Sequence, residues 1–169
     1  MRALPLLLLL PAVALAETPK LDKTYDPFAP KEAAAPSPAD PEDAEQVAMG
    51  GAIYAEYCAA CHGADLEGDP EWRVRDEDGG YKPPPHDDSG HTWHHSDKVL
   101  FDYTKLGGEK LFEEYPNIVS RMPGFGDMIS DAEIWAVLAY IKSHWSPENR
   151  DAQSQASAFD PLPEGDDGG

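Results

Sequence analysis

Cysteine is scarce in this chain: there are two among 169 residues, Cys58 and Cys61. A pair that close can tie off only a very small loop, so no disulfide framework holds the fold together. Basic residues are also few, 13 against 32 acidic ones, for a formal charge of −19. Such a surface repels the phosphates of nucleic acid and anionic lipid, which sets nucleic-acid binding aside and favours proteins with basic docking faces. Nowhere do apolar and polar residues alternate over a pair of strand-length runs, so a sheet-based fold is excluded. The one long apolar run, Leu4 to Leu15, falls short of the ~20 residues that a membrane-spanning helix needs.

That run instead has the build of a secretory signal peptide. Arg2 gives a positive start and Ala14-Leu15-Ala16 a small-x-small cleavage site before Glu17. An uncleaved anchor is the competing reading. Residues 1–16 are therefore expected to be removed on export, most simply into a bacterial periplasm, leaving no stable membrane insertion. Residues 17–45 read as a Pro/Ala-rich acidic linker and the start of a helix. Residues 46–147 are long enough for one small domain, and 148–169, polar and glycine-terminated, read as an acidic disordered tail.

Three helices stand out in the middle. The first is predicted to start at Asp40, with Pro41 in its first position, and to run into Cys58. The second follows Ser96 as cap and ends at Gly107-Gly108. The third, "ISDAEIWAVLAYIKSHW", carries a capping box, Ser130 with Glu133, and a staple of Ile129 with Ile134. Ile134, Val137, Leu138, Ile141 and Trp145 make one apolar stripe along it, and Pro147 stops it. The predicted domain is all-α, with three to four short helices and long loops. From His62 to Ser96 the chain is rich in Gly, Pro, Asp and His and can build little core of its own. A large apolar prosthetic group would give such loops something to pack against.

The stretch "YCAACHG" bears on what that group is. A redox dithiol would need a strand-to-helix setting, and a structural zinc site would need four closed ligands. A disulfide across two residues would stabilise little and leave His62 unexplained. Cys-x-x-Cys-His is the sequence sign of covalent haem attachment. Two thiols add to the two vinyl groups of one porphyrin, and the adjacent histidine is thereby placed to ligate the iron. Export fits this chemistry.

With "GAIYAEYCAACHG" and "MPGFGDMISDAEIWAVLAYIKSHW" in that order and separation, residues 46–146 resemble a small class I cytochrome c of the bacterial single-haem kind. The resemblance implies one covalent haem c held by Cys58 and Cys61, with His62 as proximal iron ligand and a loop methionine as the second. Met122 stands at the family's ligand position, and Met128 and Met49 read as core. The resemblance also implies that the first helix crosses the last at a glycine–aromatic contact, from Gly50 or Gly51 and Tyr54 to Tyr140 or Trp135. A proline carbonyl, from Pro83, Pro84 or Pro85, would fix His62. Arg121 pairs with a haem propionate or is only a solvated charge, and Trp93 is a candidate packing residue beside the haem.

A His/Met-ligated iron leaves no position for substrate, so the expectation is an electron-transfer protein rather than an enzyme. It would be a monomer that docks on basic faces of oxidases or reductases. Two alternatives stay open. His86, His91, His94 and His95 could displace the methionine or bind copper or another metal. Alternatively, an open iron could support peroxidase-like chemistry.

Overall fold

The computed structural model describes residues 38–115 and 117–162. The expected signal peptide, most of the linker and the last seven residues lie outside the described residues. Four helices of ten residues or more are present: α1 (Ala44–Tyr57), α3 (Asp97–Leu106), α5 (Asp131–Ser143) and α6 (Pro147–Phe159). Two single turns, α2 (Ala59–His62) and α4 (Gly108–Leu111), and a 3-10 turn at Thr92–His94 complete the order. Among the described residues there is one isolated bridge, Arg75 with Tyr81, and no strand. The all-α expectation holds. No described helix is long and apolar enough to cross a membrane.

α5 is the centre of the molecule. Its capping box forms as the sequence predicts: the Ser130 side chain accepts from Glu133 N, and Glu133 accepts from Ser130 N at 2.7 Å. The staple residues Ile129 and Ile134 are both buried. The predicted single stripe is too narrow, however, because the six consecutive residues Ile134–Ala139 are all buried. Helix neighbours on more than one side account for this: α1 packs along α5 and α3 covers another part of it. The Phe101 and Trp135 rings stack at 4.4 Å across the α3 contact.

α1 starts later than expected. Asp43, not Asp40, is its cap, with its carboxylate accepting from Glu45 N and Gln46 N at 3.0 and 3.1 Å. Asp40 spends its side chain on Glu42 N in the preceding turn. Both aspartates have a competent side chain, and the one that reaches two orphan helix donors wins. The α1–α5 crossing is close. A Cβ on Gly50 would lie 1.9 Å from the Ala136 carbonyl oxygen, and one on Gly51 3.1 Å from the Tyr140 ring.

The largest correction concerns the C-terminal region. Residues expected to be a disordered tail form α6, capped by Ser146 with Pro147 in the first turn. The residue that ends one helix therefore begins the next. α6 is held by polar bonds rather than by an apolar stripe. Buried Gln153 donates to Asp97 at 2.8 Å, Asp97 N donates to Ser157 Oγ at 2.9 Å, and Ser96 Oγ donates to Asp160 at 2.6 Å. Asp97 also receives the Lys142 ammonium at 2.5 Å, both side chains being about 5% exposed. Burial lowers the Lys142 pKa, opposed by Asp97. Trp145 lies just past α5, buried, and donates its indole N–H to His86 O at 2.7 Å.

Candidate functional site

Cys58 closes α1, its N–H donating to Tyr54 O, and opens the single turn α2. Cys61 N and His62 N both donate to Cys58 O, at 3.1 and 3.0 Å. This tight turn brings the two thiols and the imidazole together, with Cys58 half-buried, Cys61 exposed and His62 buried. Both cysteines are free. Burial, aided by Cys61, pushes the Cys58 thiol up to about 11. A redox dithiol needs the opposite shift, toward the thiolate, and the half-buried setting of Cys58 does not favour it.

His62 is oriented by a single decisive bond. Its Nδ1 lies 2.9 Å from Pro84 O. A carbonyl can only accept, so Nδ1 carries the proton and Nε2 keeps its lone pair free for a metal. Among the three prolines, the structure selects Pro84. The register is fixed by backbone bonds on either side: Asp69 N donates to Pro83 O at 2.9 Å and His86 N to Leu66 O at 2.8 Å. Leu66 takes φ +63° to make this return and is fully buried. Burial lowers the His62 pKa, partly offset by the Pro84 bond, so the ring is held neutral as ligation requires.

The other candidate ligand lies in the segment around Met122, before α5. Met122 packs on the hydrophobic core, whereas Met49 and Met128 are 44% and 53% exposed, not the core residues the sequence suggested. The segment is pinned to the end of α3. Gly108 N donates to Met122 O at 2.9 Å, Phe125 N to Thr104 O at 2.9 Å and Gly126 N to Lys105 O at 3.0 Å. Gly107 is required there. It has φ +79°, and a Cβ on it would lie 2.4 Å from Gly124 N.

The other candidates are dispersed. The His86 ring stacks on His62 itself, centroids 4.0 Å apart, and its Nδ1 pairs with Thr92 Oγ1 at 2.9 Å. A ring lying against the face of His62 is not available on the opposite side of a metal held by His62. His91 stacks on Trp72 and His94 on Trp93. Among the described residues, no group of three or more His, Cys, Asp or Glu side chains is placed to hold a metal ion. The copper reading therefore has no preformed site in the histidine loop. Arg121 is neither a lone solvated charge nor left waiting for a carboxylate. It is bound to Asp76 and Asp78, and it holds the Asp78 carboxyl below the usual carboxylate range. Neither this pairing nor the His62–His86 stack was visible in the sequence.

Does this set of residues fit a haem? Two free thiols three residues apart and a neutral imidazole with one nitrogen tied back are the donors that covalent attachment and axial ligation require. Two buried indole N–H groups, on Trp93 and Trp135, have no hydrogen-bond partner among the described residues. Buried donors left alone are costly, and a cofactor carrying acceptor groups would satisfy them. The site fits.

Comparison with known proteins decides the family. Residues 45–141 match the family model described as cytochrome C oxidase, cbb3-type, subunit III, which covers more than half of the chain. The chain belongs to the cytochrome c family. This cytochrome is 34% identical over 115 residues to a thiosulfate dehydrogenase of Stutzerimonas stutzeri (strain A1501), an alignment covering 68% of this chain and 32% of that protein. The chain thus spans about a third of the length of that relative. No solved structure matches the cytochrome at a significant level. Membership carries covalently bound haem c and electron transfer. The helix crossing expected of the family is present here, with Gly50 and Gly51 against Ala136 and Tyr140, and the Tyr54 and Tyr140 rings 5.3 Å apart.

Proposed function

We propose that this cytochrome is a one-electron carrier in which Cys58 and Cys61 form the thioethers to a single haem c and His62 Nε2 and the Met122 sulfur hold its iron. When bound, the haem supplies a one-electron ferric/ferrous couple. The bond from His62 Nδ1 to Pro84 O carries the reading. It fixes the tautomer, aims the free nitrogen and strengthens it as a donor. The core-packed position of Met122, against the exposure of Met49 and Met128, supports it as the second ligand.

With His62 and Met122 both holding the iron, substrate would have no open iron to reach, and Met122 would turn the chain toward electron shuttling. The excess of acid, 32 residues against 13 basic, supports weak, salt-sensitive docking on basic faces of oxidases or reductases. Residues 1–16 support export to a periplasm, where such attachment takes place.

The test is spectroscopic. The holoprotein should give a pyridine haemochrome of one haem c per chain, a low-spin ferric spectrum and the weak far-red absorption of methionine-ligated iron. Met122→Leu should lose that absorption and open the iron to added ligands. An unchanged spectrum in this variant removes Met122 from the site. A second reading, catalysis, has the name of the relative in its favour. Thiosulfate-dependent reduction of the purified haem protein, with turnover in the presence of an artificial acceptor, would favour it over the carrier.

A further inference from the structure

The residue before Met122 is gripped from a distant part of the chain. Arg121 Nη1 donates to Asp76 Oδ2 at 2.6 Å, and Nη2 donates to both oxygens of Asp78 at 2.5 and 2.6 Å. The guanidinium lies over Gly80, where a Cβ would come within 3.2 Å of its central carbon. The turn presenting these carboxylates is well built. Asp76 N donates to Gly80 O at 2.8 Å, Gly79 N to Asp76 O at 2.9 Å, and Gly80 N to Asp78 Oδ1 at 3.1 Å. Arg75 braces it from outside, donating to Gly79 O at 2.9 Å and to the Tyr81 hydroxyl at 3.0 Å.

This turn runs directly into Pro83 and Pro84, so one short segment, 76–84, touches both halves of the site. Its last residue holds His62 through a carbonyl, and Asp76 and Asp78 at its start hold the neighbour of Met122 through charge. On the C-terminal side Met122 is fixed by the bonds of Phe125 and Gly126 to α3. On the N-terminal side its N–H reaches Ser120 Oγ only at 3.3 Å, and Ser120 Oγ in turn pairs with the Tyr103 hydroxyl of α3 at 2.5 Å. The Asp76/Asp78 grip on Arg121 is the charged restraint from that direction, beside this hydroxyl pair.

We propose that the clamp of Asp76 and Asp78 on Arg121 is a positioning device that sets how readily the Met122 thioether leaves the iron. It rests on the reading of Met122 as a ligand. Arg121 acts through Met122 and touches nothing that reacts. The pairs are half-exposed, so the effect is modest, and it is bidentate and networked, so it is measurable. Because the clamp is made of charge at the surface, it loosens with salt.

The experiment measures the rate at which imidazole binds the ferric holoprotein, which is limited by departure of the protein's own ligand. It compares the wild type with R121Q, D76N/D78N, the triple variant and R121K, with thermal unfolding followed in parallel. R121Q and D76N/D78N should each speed binding roughly two- to five-fold, as expected for a well-aligned surface pair. The triple variant should be no faster than R121Q, since both changes remove one interaction. R121K should restore part of the wild-type rate, and thermal unfolding should move little. At an ionic strength of about 1 M, where charges are screened over ~3 Å, the wild type should approach R121Q while R121Q changes little.

A wild-type rate in R121Q, or effects that multiply in the triple variant, overturns the clamp. If instead Met122→Leu leaves the ferric spectrum unchanged, the ligand assignment fails and the clamp falls with it. The two failures are therefore distinguishable.

Discussion

The two sides of this site are held in different ways. His62 sits in the interior at 8% exposure, tied to Pro84, stacked on His86, and backed by Trp145, whose indole bonds the His86 carbonyl. Met122 lies in a segment fixed by two backbone bonds to α3 and one to the start of α4, and by an ion-paired arginine that is 49% exposed. Buried hydrogen bonds resist local opening, while exposed ion pairs contribute little and are screened. On the proposed ligand assignment, the histidine side is built to hold and the methionine side to yield first.

The severest way to break the comparison is to remove what both sides share. Gly50→Val should collapse the α1–α5 crossing, because a Cβ there already overlaps the Ala136 carbonyl. A cost of ~3 kcal/mol or more is expected from overpacking against backbone. Thermal unfolding of the holoprotein checks it, and a wild-type midpoint would show that the crossing is not as tight as described.

A matched pair of glycine substitutions then separates the sides. Gly68→Ala places a Cβ 2.3 Å from Pro85 N, behind the residue that orients His62, and Gly107→Ala places one 2.4 Å from Gly124 N, behind Met122. Both have positive φ, so each should cost ~1–3 kcal/mol in strain and crowding. Only Gly107→Ala should weaken the far-red methionine absorption while leaving haem stoichiometry intact. Loss of that absorption in Gly68→Ala instead would erase the distinction.

Trp145→Phe is milder. It deletes the hydrogen bond to His86 O while keeping most of the apolar bulk, and should cost ~1 kcal/mol by denaturant unfolding. Smallest is a pH effect on the histidine side. Burial lowers the pKa of His91 from 6.5, helped by the charges of His95, His94 and Arg73. The unfolded chain therefore takes up this proton first as pH falls. Stability that is complete above pH ~6.5 should decline below it and level off under the folded value. Denaturant curves at pH about 7.5 and about 5.5 should show a smaller decline in His91→Gln, and an equal one would remove His91 from the account.

Local signals carried the readable part of this molecule. The Cys58–His62 spacing, the Ser96 and Ser130 caps and the end of α3 at Gly107 depend on neighbours within a few residues, so the sequence displays them. α6 was missed because its anchors are polar. Gln153 and Ser157 bond Asp97, and no apolar period announces such contacts. Pro84 was indistinguishable from Pro83 and Pro85, because the choice is made by the return of the chain onto Leu66 and Asp69. Arg121 finds Asp76 and Asp78 across more than 40 residues, and no spacing rule reaches that far.

The buried placement of His62 also bears on the order of biogenesis. Pro84 reaches His62 only after the intervening 21 residues have come back over it, and Cys58 in the same turn is half-buried. On the proposed attachment through Cys58 and Cys61, joining the haem before the proline return closes is the order expected.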